Sequence, residues 1–597
     1  MTPRPHHPRH SVPLLHALTF IVALCSFAYE LVFAELYTVV FGGSVTQYGL
    51  TIGLFFSSLG LGSFLSGRLE TDPESNFFRV ETYLAVVAPL GFLLVILLGT
   101  LRYPAAYAPL VGAIARLPIV TIGFLSGFEL PLLTTLSESV RDTARPPSSI
   151  ARGVRRLTSY LNRAFGVVLG AAFSIKRREG KPSDPADETS AYAAVLGFDY
   201  LGGLVGSLVY VFFLYPAVGL IPSVFVLAFL NGVAALIFAS TTANTHRPTL
   251  RSRLPQPVGS TGKALFAVCL LVTASTGAAA VNAGPVGEDV SEYYFEREFE
   301  LEYAPGAMDV AVTDTWTTRY QRVTEYNRTW TGSGDNPYFG ATTEHCLRLD
   351  SAVQLCESWA DSYHQGLVDV PLSMFENSTD TKVLLIGGGD WAAMDRLQRH
   401  GVSVDHVDID GEFMQRAKTD PFLAQYHDGA YRYENKSTRV QDAFQYLEQS
   451  EQRYDVILLD IPGATDDDQL PLYSVEFYSQ LRQHLTADGV IATWTYSRYS
   501  YAQHRTAYYN TVHKAGLTSA APYFAWEDID ADGETERVER FTLLAPAPRD
   551  SLSPHNGTAY MNRYQHRYQA VEWVDTPRYA GVRPNSVFHP NYDILIK

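Results

Sequence analysis

The first half of the chain is a succession of long apolar runs separated by short polar ones. Stretches at about 14–40, 48–67, 80–101, 109–137, 191–214, 217–240 and 264–283 approach or exceed the roughly 20 residues that a helix needs to cross a bilayer. They predict seven membrane spans, the first of them too long to be only a cleaved leader. GxxxG spacings at Gly49/Gly53 and Gly202/Gly206 predict close approach of helix backbones. One further apolar run, 164–175, is only 12 residues long and is flanked by positive charge. It reads as a re-entrant or surface-lying helix.

Past residue 285 the pattern changes period. Residues 291–357 are rich in Tyr, Thr, Val and Phe with turn residues between, the composition of strands and hairpins. Lys382–Gly389 is a short apolar strand running into glycines. A helix over Ala392–His400, a strand over Val404–Asp410 and a helix from near Glu412 follow. Arg439–Asp442 opens another unit, and Tyr454–Asp460 and Gly489–Trp494 are further strands. Such alternation predicts a parallel, doubly wound sheet with its ligand at the carboxyl ends of the strands. The expected architecture is a multi-pass α-helical membrane domain (1–284), a β-hairpin region (285–375) and an α/β Rossmann-like domain (376–597).

Charge sharpens this division. The 597 residues are 47% hydrophobic and 18% charged, with a net charge of −16. Residues 1–284 carry a net +6, and residues 285–597 a net −22. A single soluble enzyme is excluded. So is a nucleic-acid binder, because the domain free to meet a polyanion is itself strongly negative. Such acidity suits a high-salt habitat. Basic residues set the orientation. Arg4 and Arg9 in the tail, and the basic loops 138–190 and 241–263, belong in the cytoplasm. Seven spans then place residues 285–597 outside the cell. A spanning 164–175 segment would reverse that.

Four cysteines exclude a disulfide-built scaffold. If Asp350–Ala352 is a three-residue hairpin loop, Leu349 opposes Val353 and Cys346 opposes Cys356, which suits a disulfide. Two reduced thiols on one sheet face are the alternative. Asn327, Asn377, Asn435 and Asn556 lie in Asn-x-Ser/Thr sequons. Both features fit an exterior domain.

Two sets of residues carry candidate chemistry. In the spans, Glu30, Glu35, Glu129 and Asp199 are costly in hydrocarbon. They either sit near helix ends and pair with Arg116 or Arg141, or form a substrate or lipid-headgroup site. Glu30 and Glu129 are the favoured pair, with Pro131 expected to interrupt the helix after Glu129. In the second half, Gly387, Gly388 and Gly389 let a ligand approach the backbone. Asp408 or Asp410, about 20 residues on, suits a ribose diol.

Residues 316–500 resemble the spermidine synthase (polyamine aminopropyltransferase) family. The likeness rests on Leu349–Leu355, Tyr363-His364, Val370-Pro371 and the Ile386-Gly-Gly-Gly-Asp390 turn. The membrane half looks like the multi-span domain fused to some such synthases. The resemblance implies decarboxylated S-adenosylmethionine, or a related nucleoside donor, as co-substrate. It implies Gln321, Asp390, Asp408 and Asp442 as donor contacts, and Tyr363 and His364 on the acceptor side. The chain departs from the family pattern in three places. The family's Asp-x-x-Asp reads Asp460-Ile-Pro-Gly463, so glycine stands where the base belongs. Gln365 replaces a Glu, and Asp408 replaces a longer Glu. Asp460, Asp466 and His364 are the remaining candidates for catalysis. No metal site is read from the spacing.

Three functions are consistent with these residues. The first is a membrane-embedded transferase acting at the outer face on a lipid or membrane-tethered substrate, for example in lipid attachment to exported proteins. The second is a membrane-anchored aminopropyltransferase making spermidine, in which one of Asp466, Asp467 and Asp468 supplies the base. The third is a non-catalytic ligand-binding or transport protein.

Overall fold

The computed structural model describes residues 11–69, 72–141, 191–242, 259–350, 352–375, 378–464, 469–496, 501–527, 537–547 and 573–595. The chain forms two compact units, Met1–Tyr294 and Phe295–Lys597. Asp466, the 164–175 segment, Arg4 and Arg9, most of both basic loops, Asn377 and Asn556 lie outside the described residues.

The first unit contains seven helical segments long and apolar enough to cross a membrane. They are Val12–Phe41, Val45–Leu65, Pro73–Gly99, Ala105–Val140, Tyr192–Val218, Leu220–Ser240 and Gly262–Val281. The fourth is not one rod. It is divided into helices Ala108–Ala115, Leu117–Ser126 and Glu129–Arg141. The last break falls before Glu129, not after it. Pro131 sits in the first turn of the new helix, where its missing N–H interrupts nothing, which corrects the expectation drawn from the sequence.

Of the pairs Gly49/Gly53 and Gly202/Gly206, the second is a close contact. A Cβ at Gly202 or Gly206 would lie 2.4 Å from the Phe20 carbonyl oxygen or 2.3 Å from that of Leu24. Gly49 and Gly53 face open space. Gly62 and Gly127 meet backbone at 2.1 and 2.2 Å as well. The motif allows close packing; the partner surface decides whether it occurs.

The second unit begins inside a helix, Ala283–Glu300, where strand was expected. Phe295 and Phe299, one turn apart, meet on one face with tilted rings whose centroids are 5.7 Å apart. Fully buried Arg348 lies 4.0 Å over the Phe299 ring and pairs with Glu302 at 2.7 Å. Aromatic spacing of four residues, not two, is what selects helix here.

Four antiparallel strands follow: β1 (Met308–Thr317), β2 (Arg322–Trp330), β3 (Thr343–Leu349) and β4 (Ala352–Cys356). The β3–β4 turn is tighter than expected. Leu349 pairs with Ala352, not with Val353. A register shift between Leu347 and Arg348 then restores the pairing of Cys346 with Cys356, and the two form a disulfide. The bulge absorbs the one-residue error that a different loop length would have caused.

The remaining strands build one mixed sheet. They are β5 (Lys382–Gly387), β6 (Ser403–Asp408), β7 (Lys436–Val440), β8 (Tyr454–Asp460), β9 (Leu485–Trp494), β10 (Ser519–Glu527), β11 (Arg537–Ala545) and β12 (Val574–Asp575). Their order is β12-β10-β11-β9-β8-β5-β6-β7. The five strands from β9 to β7 are parallel, and β10, β11 and β12 add an antiparallel edge. The central strands bury both faces. Val383 and Leu385 enter one core, while Leu384 and Ile386 enter the other. This two-sided burial is why they read as continuous apolar runs.

Candidate active site

The carboxyl ends of β5, β6 and β8 converge on a small set of acids. β5 ends in the glycine turn. Gly387 and Gly388 have φ of +80° and +73°, a conformation that disfavours a side chain. Space forbids one as well. A Cβ at Gly387 would lie 2.0 Å from the Asp460 carbonyl oxygen, and one at Gly389 3.0 Å from Asp408 Oδ2. The turn is tied to its neighbours by Gly388 N–H donating to the Asp460 carbonyl at 3.0 Å. His406 Nε2 also donates to the Gly387 carbonyl, at 2.9 Å. Burial drives the His406 pKa down to about 4, so the ring stays neutral and Nε2 keeps its proton for this bond.

Asp460 ends β8 and is the centre of the site. Tyr363 OH donates to its Oδ1 at 3.2 Å. Its Oδ2 is buried without a hydrogen-bond partner. His364 Nε2 lies 3.9 Å from that oxygen and 3.8 Å from Asp390 Oδ2. The other His364 nitrogen, Nδ1, donates to the Ala360 carbonyl at 2.6 Å. A carbonyl only accepts, so Nδ1 holds its proton and Nε2 is the nitrogen that faces the acids. Burial pushes the Asp460 carboxyl up to about 6. His364, Asp390 and Asp460 bring one ligand atom each within 4.8 Å of one another.

Asp408 ends β6. Burial pushes its carboxyl up to about 7, and Asp410, Asp390 and Asp460 all add to the push. Its Oδ1 accepts from Asp410 N–H at 2.7 Å. Asp410 is the better connected of the two. It caps the helix Gly411–Ala417 through Phe413 N–H and accepts from Thr318 Oγ at 2.6 Å and Gln321 Nε2 at 3.0 Å. Gln321 therefore reaches the site through Asp410. The linking role of Asp410 and Thr318 was not apparent from the sequence; the signal was an Asp one residue before a helix.

The other candidates are placed apart. Asp442 lies two residues beyond β7 and caps the helix Ala443–Gln449, accepting from Gln445 N–H at 3.0 Å. Gly463 carries no acid, and a Cβ there would meet nothing closer than Trp494 at 3.8 Å and Tyr496 OH at 3.9 Å. In the helical unit, Glu30 and Glu129 are both buried. Glu129 accepts from Ser26 at 3.3 and 3.4 Å. Among the described residues, no hydrogen bond joins Glu30 to Glu129.

A doubly wound sheet with a glycine turn between strand and helix, acids at the next strand ends and Tyr363 and His364 beside them is the Rossmann-type frame of a transferase. Residues 360–525 match the spermine/spermidine synthase domain, which supports the resemblance read from the sequence. It is 28% identical to polyamine aminopropyltransferase 2 of Streptomyces coelicolor, over 97% of this chain and 93% of that one. It is 26% identical to polyamine aminopropyltransferase 1 of the same organism, over 82% and 77% respectively. The spermidine synthase structure from Thermotoga maritima shares 19% identity, covering 45% of this chain and 80% of that one at a TM-score of 0.33.

Proposed function

We propose that the protein transfers an alkyl group of the aminopropyl type from a nucleoside donor to an amine, using Asp460 and His364 in place of an acid at position 463. The single observation that carries this reading is the buried, unmatched Asp460 Oδ2, with His364 Nε2 3.9 Å from it. An acceptor amine is protonated in water and needs somewhere to leave its proton before it attacks. The donor fits the residues present. Decarboxylated S-adenosylmethionine, or a related sulfonium nucleoside, is cationic, and four carboxylates (Asp390, Asp408, Asp410 and Asp460) gather where it would lie. The glycine turn supplies the close backbone approach. In the step itself, the amine nitrogen forms a bond to the carbon on sulfur. The C–S bond breaks, its electron pair returns to sulfur, and the amine proton passes to Asp460 or His364.

A second reading makes the acceptor a lipid amine or a membrane-tethered substrate at the outer face. The Cys346–Cys356 disulfide favours it, because such bonds persist outside the cytoplasm. One experiment separates the two. The full chain in lipid nanodiscs is given decarboxylated S-adenosylmethionine with putrescine, or with phosphatidylethanolamine vesicles. Release of the thioether nucleoside is measured, and the alkylated product is identified by mass. Turnover with putrescine supports the first reading, and turnover with the aminolipid alone supports the second. Donor that stays intact with every amine overturns both.

A further inference from the structure

Two carboxylates are buried inside the helical unit, and among the described residues no cation interacts with them. Glu81, on Pro73–Gly99, is fully buried, and Glu129, on Glu129–Arg141, is 3% exposed. Among the described residues, the groups that interact with them, Asn231, Ser26, Ser126, Asp199, Cys25 and Tyr29, include no Lys, Arg or His. Glu81 Oε2 accepts from Asn231 Nδ2 at 2.7 Å. Ser26 donates to Glu129 and pairs with Ser126 at 2.8 Å. These bonds leave a remainder. Glu81 Oε1, Asn231 Oδ1 and Tyr29 OH are buried with no hydrogen-bond partner, and all three side chains are fully buried. Tyr29 is within electrostatic range of both acids. Helices Val12–Phe41, Pro73–Gly99, Glu129–Arg141 and Leu220–Thr242 thus each bring polar groups to one apolar interior. Buried polar atoms in such surroundings are ordinarily matched.

We propose that this interior binds a primary ammonium cation. An ammonium group offers three N–H donors in diverging directions and a positive charge, which is what two acids and an amide oxygen lack here. A bare metal ion suits the site less well. Among the described residues, the sets of three His, Cys, Asp or Glu ligand atoms within 4.8 Å of one another lie in the second unit, and Cys25, Glu81, Glu129 and Asp199 do not close to that size. The proposal goes beyond the transferase reading and stands without it.

The test uses the full chain in nanodiscs, with labelled putrescine as probe and Na⁺ as competitor. Wild-type protein should show saturable binding with a component that Glu81→Gln and Glu129→Gln each weaken at least tenfold. Gln keeps the shape and hydrogen bonding of Glu, and a monodisperse elution profile controls for folding. Tyr29→Phe, which removes only one hydroxyl, should weaken the same component severalfold. Asp390→Ala, in the second unit, should leave it intact, so failure of the transferase reading does not mimic failure of this one. Absence of saturable binding in the wild type overturns the proposal. So does binding unchanged in both glutamine variants, or full displacement by equimolar Na⁺, which would mark an inorganic cation site.

Discussion

Tyr363 OH donates to Asp460 Oδ1, and the other oxygen of that carboxylate is left buried and unmatched. The tyrosine comes from the helical stretch after β4 and the aspartate from the end of β8, 97 residues on. The bond holds the carboxylate so that Oδ2 faces His364. Asp460→Asn keeps the shape but removes the proton acceptor. It should lower turnover of the nucleoside donor by about 10²–10⁴-fold. Tyr363→Phe should cost about tenfold or less, because it frees the carboxylate without removing it. Near-wild-type rates for Asp460→Asn would exclude it as the base.

Gly463 offers a gain-of-function test. The space around it accepts a side chain without displacing backbone. Gly463→Asp should therefore fold normally, with a melting temperature within about 2 °C of wild type. It should raise turnover with putrescine by about tenfold or more. An unchanged rate in a well-folded variant would show that proton removal at this position is not limiting.

The Cys346–Cys356 bond should leave both thiols unlabelled when the protein is denatured and alkylated without reductant. Cys25 and Cys269 are free and should label. Replacing the bonded pair by serine should destabilise the second unit by roughly 2–3 kcal/mol, the scale for a short closed loop. Labelling of all four cysteines without reductant would remove the redox argument for an exterior domain.

Stability should also report on the acid cluster. Burial raises Asp408 to about 7 and Asp460 to about 6, so the folded state holds these protons more tightly than the unfolded chain does. Stability should then fall as pH rises from about 4 to about 7. Asp408→Asn should flatten that fall by roughly 2–4 kcal/mol, read from denaturation curves at several pH values. Parallel curves for variant and wild type would show that Asp408 titrates normally.

Orientation is open to a direct assay. We expect protease added to intact cells to remove residues 285–597. Protection until the cells are lysed would place the domain in the cytoplasm, beside a cytosolic nucleoside supply.

The sequence by itself determined what depends on local period and composition. Seven apolar runs became seven helical segments of spanning length, the fourth of them broken, because length and hydropathy suffice for that property. Tyr454–Asp460 was legible to the residue, since a strand whose centre is buried on both faces carries a continuous apolar run, here Val456–Leu459. The glycine turn was legible because its backbone conformation and crowding leave no room for other residues. Tertiary structure decided the rest. It chose Gly202 and Gly206 over Gly49 and Gly53, because a motif does not specify the surface opposite it. It restored the Cys346–Cys356 register through a bulge that no turn rule predicts. It made Asp410 the hub joining Thr318, Gln321 and Asp408, and set Glu81 against Asn231, 150 residues away. Long-range pairings of this kind leave no periodic trace along the chain. Each depends on where several elements meet, and that is fixed only when the whole unit packs.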